Sequence, residues 1–153
     1  MDLRLSIALA NNPRTWPIMT GEIKPDGIEL IPTSVHGSEI FWRQLKFAEF
    51  DVSEMSLGEL AYFASRGLNE YLAVPIFPYR MFRHGFVFKR TGGGIASPED
   101  ISGKRVALTR LVVTAGVWMR GMLTNDYGVA PVETEWHYAS VHHWQGEGEP
   151  ERA

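Results

Sequence analysis

The sequence predicts an α/β fold with mainly parallel sheets. Three observations carry that prediction. Short apolar segments of strand character alternate with segments of helical period along the chain. Turn-forming clusters such as Asn11-Asn12-Pro13, Pro25-Asp26-Gly27 and Gly92-Gly93-Gly94 separate them. Helix-start signals stand at Ser56 and Ser97, each just after an apolar or turn segment.

In chain order, Leu3, Leu5, Ile7 and Leu9 alternate with other residues and predict a strand over residues 3–10. A short helical turn is expected at 15–20, ending at Gly21, and a second strand at 28–31, closed by Pro32. Residues 38–49 read as a helix with Phe41, Leu45 and Ala48 on one face, and 50–55 as a short buried strand. Ser56 and Glu59 have capping-box spacing, opening a helix that runs to Arg66 and stops at Gly67. Strands are expected at 71–77, which because of Pro75 lies at an edge or ends there, and at 84–89. Ser97-Pro98-Glu99-Asp100 predicts a brief helix ending near Gly103. A strand at 105–108, a helix at 114–125 ending near Gly128, and a strand at 132–138 complete the pattern.

Composition narrows the function classes. Net charge is −3, which gives no electrostatic argument for nucleic acid or an anionic membrane. The absence of cysteine excludes disulfides, thiolate metal sites and a cysteine nucleophile. The alternating N-terminus is a strand pattern and not the apolar core of a signal peptide. No window is long and apolar enough to span a bilayer, so the expected location is the cytoplasm. The 153 residues suffice for one domain or two small lobes.

In parallel α/β sheets, ligands bind beyond the carboxyl ends of the strands. The expected ends are 11–14, 54–56, 78–84 and 109–114. Glu54 lies between a buried strand and a helix start, where it is either a general acid or base or an acceptor for backbone amides. Ser56 is an N-cap whose hydroxyl could also face a ligand. Arg80, Arg83 and His84 form an anion-binding constellation, with forked guanidiniums and an imidazole that titrates near neutrality. The bland alternative pairs one arginine with Glu49, Asp51 or Glu54 and makes His84 an ordinary strand residue. Thr114 opens a helix whose first amides favour a carboxylate or phosphate. His137, His142 and His143 lack metal-ligand spacing, and Trp42, Trp118 and Phe82 read as packing residues.

Several of these stretches resemble one family. Phe41-Trp42-Arg43 and Glu49-Phe50-Asp51-Val52-Ser53-Glu54-Met55-Ser56-Leu57 are similar to the 4,5-dihydroxyphthalate decarboxylases. So are Pro75-Ile76-Phe77-Pro78-Tyr79-Arg80-Met81-Phe82-Arg83-His84, the run from Ser97 to Val106, and Thr114-Ala115-Gly116-Val117-Trp118-Met119-Arg120-Gly121. The likeness extends to about Trp136. The resemblance implies a type 2 periplasmic-binding-protein-like fold, two α/β lobes with a ligand cleft between them. The cleft would be lined by Arg14, Glu54, Ser56, Arg80, Arg83, His84 and Thr114. In that scheme Arg80 and Arg83 hold carboxylates and His84 or Glu54 supplies a proton. Asn12-Pro13-Arg14-Thr15 keeps the Arg-Thr of a family segment but lacks its neighbouring acid.

Family members are about twice this length, so the resemblance implies an N-terminal portion with the second lobe and return segment incomplete. The expected layout is a first lobe at 1–85, a partial second lobe at 86–138 and a polar, disordered tail at 139–153. The implied activity is non-oxidative decarboxylation of a hydroxylated aromatic carboxylate. The alternatives are a solute-binding protein of a transporter and an inactive fragment. The expected partner is a small carboxylate, with self-association possible through apolar surface left uncovered. No cofactor is called for, and a divalent metal is left open.

Overall fold

The computed structural model describes residues 2–68 and 70–138. It is an α/β protein whose two small sheets are both parallel. The chain divides into two compact units. One is Met1–Ser56 with Tyr71–Arg80; the other is Leu57–Glu70 with the chain from Met81.

The first unit is a three-stranded sheet in the order β2-β1-β3. Strand β1 (Leu3–Ala8) runs centrally, pairing with β2 (Ile28–Thr33) from Leu3 opposite Ile28 to Ala8 opposite Thr33. Its other edge meets β3 (Val52–Ser53), with Ile7 opposite Val52. The ladder ends at Ala8, two residues short of the expected strand end. Pro32 lies inside β2, opposite Ile7. An edge strand tolerates it, because the missing N–H can face away from the ladder.

Helix α1 (Trp16–Met19) lies in the β1–β2 connection, and α2 (Gly37–Phe47) links β2 to β3. His36 caps α2, its Nδ1 accepting from the Ser38 N–H at 3.3 Å. Ile40 is fully buried and packs with Ala8 and Phe50. Burying a side chain of that size stabilises by about 2 kcal/mol. Phe41 packs against this cluster, whereas Ala48, expected on the same face, is exposed and ends the helix in the left-handed region at φ 47°. Gln44, also buried, donates to the Phe50 carbonyl at 3.0 Å and accepts from the Phe50 N–H at 2.9 Å.

In the second unit, β4 (Arg105–Leu108) pairs in parallel with β5 (Glu135–Tyr138), joined through α4 (Thr114–Tyr127). Gly128, at φ 68°, closes α4 where the sequence expects a stop. Helix α3 (Leu57–Ser65) packs on α4. Gly58 is required there: a Cβ would lie 2.3 Å from the Val112 carbonyl oxygen and 2.9 Å from the Thr114 nitrogen. The Ser97 helix start yields a single 3-10 turn, Pro98–Ile101, with Asp100 accepting from the amides of Ala96 and Ser97.

Two expected strands are not formed. Residues 71–77 have no ladder partner; the Ile76 N–H instead reaches back to the Val74 carbonyl at 2.7 Å. The stretch expected as a strand over 84–89 begins with a 3-10 turn, His84–Phe86, and continues without regular structure. Both stretches have strand-like composition, but a strand needs a second chain segment for its backbone groups. Trp118 and Phe82, expected to pack, are exposed, whereas Trp42 is half-buried with its ring edge-on to Phe47. The expected tail at 139–153, with His142 and His143, lies outside the described residues.

Candidate functional site

In the first unit the chain passes from β1 to a neighbour on one side, then crosses to β3 on the other. The carboxyl ends of β1 and β3 therefore flank a point where strand order reverses, the place where open parallel sheets bind ligands. Glu54 stands at that point. Its N–H donates to the Ala8 carbonyl at 3.0 Å, and its Oε2 accepts from the Ala10 N–H at 3.0 Å. Main chain and side chain of one residue thus grip the end of β1.

The Glu54 side chain is nearly enclosed, the residue being 8% exposed. Its Oε1 is buried and makes no hydrogen bond. Burial pushes this carboxyl above its ordinary pKa, and the Ala10 N–H opposes the shift only in part. Gly37 opens α2 beside it; a Cβ there would lie 4.0 Å from Oε2 and 3.8 Å from the Ala10 Cβ. The arrangement is a carboxyl group held by one oxygen, with burial favouring its protonated form. Such a group holds its proton more firmly than an exposed carboxyl does.

The loop after β1 is braced by a residue that sequence reasoning did not select. Thr15 is buried; its hydroxyl donates to the Ala10 carbonyl at 2.7 Å and accepts from the Asn12 N–H at 3.2 Å. The Arg14 N–H donates to Asn12 Oδ1 at 2.9 Å, and its guanidinium donates to the Pro78 carbonyl at 2.8 Å. Asn11, Asn12, Pro13, Trp16 and Pro17 line an open depression of about 470 Å³ on this loop. A second cavity of about 310 Å³ lies where α1 and its following turn meet β2. Glu54 lines neither.

The remaining predicted residues divide between the units. Ser56, buried, and Arg80, exposed, belong to the first. Arg83, His84 and Thr114 belong to the second. Arg83 sits with its guanidinium 5.9 Å from the Phe86 ring centroid and 3.3 Å from Met81 Sδ. His84 is exposed at the start of its 3-10 turn. Thr114 Oγ1 accepts from the Gly58 N–H at 3.0 Å, tying the starts of α3 and α4 together.

Acidic neighbours find other partners. Glu49 is held by Arg43, which keeps its carboxyl below the ordinary value. Asp51 accepts from the Ser6 hydroxyl at 2.7 Å and the Ser6 N–H at 2.8 Å, which lower its pKa. Buried Glu59 pairs with Arg110 at 2.9 Å. Among the described residues, no ion pair neutralises Glu54. Nor do three or more His, Cys, Asp or Glu side chains gather there as a metal site. No helix among those residues is long and apolar enough to cross a membrane.

The Ala10 amide and Gly37, which shape the Glu54 environment, carried no signal in the sequence. The first contributes only backbone, and the second is a single glycine at the first position of α2.

No family model matches the chain. It is 38% identical over 134 residues to a 4,5-dihydroxyphthalate decarboxylase of Comamonas testosteroni, covering 88% of this chain and 41% of that protein. It is 37% identical over 134 residues to a 4,5-dihydroxyphthalate decarboxylase of Pseudomonas putida, covering 88% of this chain and 52% of that protein. Over most of its own length, and about half or less of theirs, the chain therefore resembles the 4,5-dihydroxyphthalate decarboxylases.

Proposed function

We propose that the chain carries part of the machinery of a non-oxidative decarboxylase for a hydroxylated aromatic carboxylate of the 4,5-dihydroxyphthalate kind. The observation that carries this reading is Glu54: a buried carboxyl at a strand-order reversal, its pKa raised and one oxygen unpartnered. The two relatives named for this activity supply the substrate class. The same reading takes the fold as type 2 periplasmic-binding-protein-like. A parallel sheet with β1 between β2 and β3 supports it.

The reaction breaks the bond between a ring carbon and its carboxylate. The electron pair stays on the ring carbon, the carboxylate departs as CO2, and a proton fills the vacated position. No oxidant or reductant is consumed. The protein must hold the carboxylate out of the ring plane and deliver one proton. In this reading Arg80 and Arg83 hold carboxylates through forked hydrogen bonds. Arg14, Ser56 and Thr114 complete the ligand contacts. Glu54 supplies the proton and recovers it from water; His84 is the other candidate donor.

Incubation with 4,5-dihydroxyphthalate should release CO2. If Glu54 is the donor, Glu54→Gln should lower kcat by about 100-fold or more. His84→Ala should then leave a much larger residual rate. The rate should fall as pH rises past the Glu54 pKa, because a general acid must be protonated to act. Absence of turnover in a relative that carries the same residues over its full length would sink the reading.

A further inference from the structure

A threonine that precedes a helix ordinarily turns its hydroxyl onto that helix's first amides. Thr15 precedes α1 but makes no such cap. Its hydroxyl reaches back five residues instead, donating to the Ala10 carbonyl at 2.7 Å. The side chain that does this is fixed in place. Thr15 is 3% exposed, and its N–H donates to the Asn12 carbonyl at 3.1 Å. Its branched Cβ restricts rotation about χ1.

The tether falls where the sheet stops. The β1 ladder ends at Ala8, and the Leu9 N–H still reaches the Thr33 carbonyl at 3.3 Å. Ala10 lies beyond both. Its carbonyl accepts from Thr15 and, at 3.3 Å, from Asn12 Nδ2. Its N–H donates to Glu54 Oε2 at 3.0 Å. The Thr15 hydroxyl and the Glu54 carboxyl are thus joined through the two ends of one residue.

Charged groups on the neighbouring elements are engaged elsewhere. Arg4 on β1 pairs with Glu29, and Arg14 in the loop donates to the Pro78 carbonyl. On α2, Arg43 holds Glu39 and Glu49, and the Lys46 ammonium lies over the Trp42 and Phe47 rings. His36 accepts from the Ser38 N–H, and Asp51, just before β3, is held by Ser6. Burial and the Ala10 amide are the influences that act on Glu54.

We propose that Thr15 is a positioning residue: by fixing the Ala10 peptide it keeps the Ala10 N–H on Glu54 Oε2 and leaves Oε1 as the open oxygen. Its meaning for catalysis rests on the reading of Glu54 as proton donor; the geometry does not. Without the hydroxyl, the Ala10 carbonyl keeps only the longer Asn12 bond, and the amide moves off Oε2. That amide favours the charged carboxylate, so its loss makes Glu54 hold its proton more firmly. In turnover the effect falls on kcat and not on KM, because the change is made at the donor.

The test is an NMR titration of the Glu54 carboxyl carbon in the chain, the signal being identified by its loss in Glu54→Gln. Thr15→Val keeps the branched shape without the hydroxyl and should raise the Glu54 pKa by about half a pH unit or more. Thr15→Ser returns the hydroxyl and should restore most of the difference. In the unsubstituted chain, the Ala10 amide proton should follow the same titration, and the Thr15 hydroxyl proton should be shielded from exchange. An unmoved pKa in folded Thr15→Val overturns the proposal, as does a Thr15→Ser chain that behaves like Thr15→Val. If Thr15→Val does not fold, the unsubstituted chain decides. Both signals uphold the proposal; an Ala10 amide indifferent to the Glu54 titration, or a freely exchanging Thr15 hydroxyl, overturns it. No substrate is used, so failure of turnover would end the decarboxylation reading and leave this inference standing.

Discussion

Glu54 shows how one residue can be legible in the sequence while its setting is not. Its position after a short apolar run and before a helix start marked it as a candidate. What makes it unusual, the Ala10 amide on one oxygen and none on the other, depends on a residue 44 positions away. The stability consequence can be signed. Below the ordinary carboxyl value of 4.5, Glu54 is protonated in both folded and unfolded chains and costs nothing. As pH rises from there to the raised folded pKa, the unfolded chain ionises first and folding stability declines. Glu54→Gln should therefore raise the melting temperature at pH 7 and change it little at pH 4. Equal effects at both pH values would refute the assignment. Gln44 is the opposite kind of residue, a buried amide with both ends satisfied by Phe50. Gln44→Ala should cost about 2–4 kcal/mol in urea unfolding, since it removes two hydrogen bonds and strands a buried amide and carbonyl.

Elements whose signals are local were read correctly from the sequence. Strand β1 announced itself by alternation, α2 by period, and the end of α4 by Gly128. The stretches 71–77 and 84–89 were misread because composition reports strand preference and cannot report a missing neighbour. Ala48 was misread for another reason: it follows the apolar period of α2 but occupies the left-handed position that ends it. Ala48→Gly should stabilise the chain by about 1 kcal/mol by thermal or urea unfolding, because glycine has no Cβ to strain there. Gly58→Ala should do the reverse. With a Cβ 2.3 Å from a backbone oxygen, α3 must move away from α4, at a cost of about 2 kcal/mol or more.

At the scale of the whole molecule, much apolar surface remains uncovered. Among the described residues Ile40 is the large side chain that is completely buried, while Leu72, Phe82 and Phe88 are each at least 86% exposed. A patch-rich surface of this kind binds apolar dyes and promotes association. The folded chain should therefore enhance the fluorescence of an apolar probe such as ANS.

Order of synthesis matters as well. Gly58 at the start of α3 and Thr114 at the start of α4 are hydrogen-bonded across 56 residues. On a ribosome adding about 5–20 residues per second, α3 emerges roughly 3–11 seconds before that partner. Until then its apolar side chains have no α4 to cover them, and Gly58, open to any backbone that comes near, is unguarded. The contact that fixes this helix pair in the finished protein is thus, during translation, an interval in which chaperone binding or misassociation competes with folding.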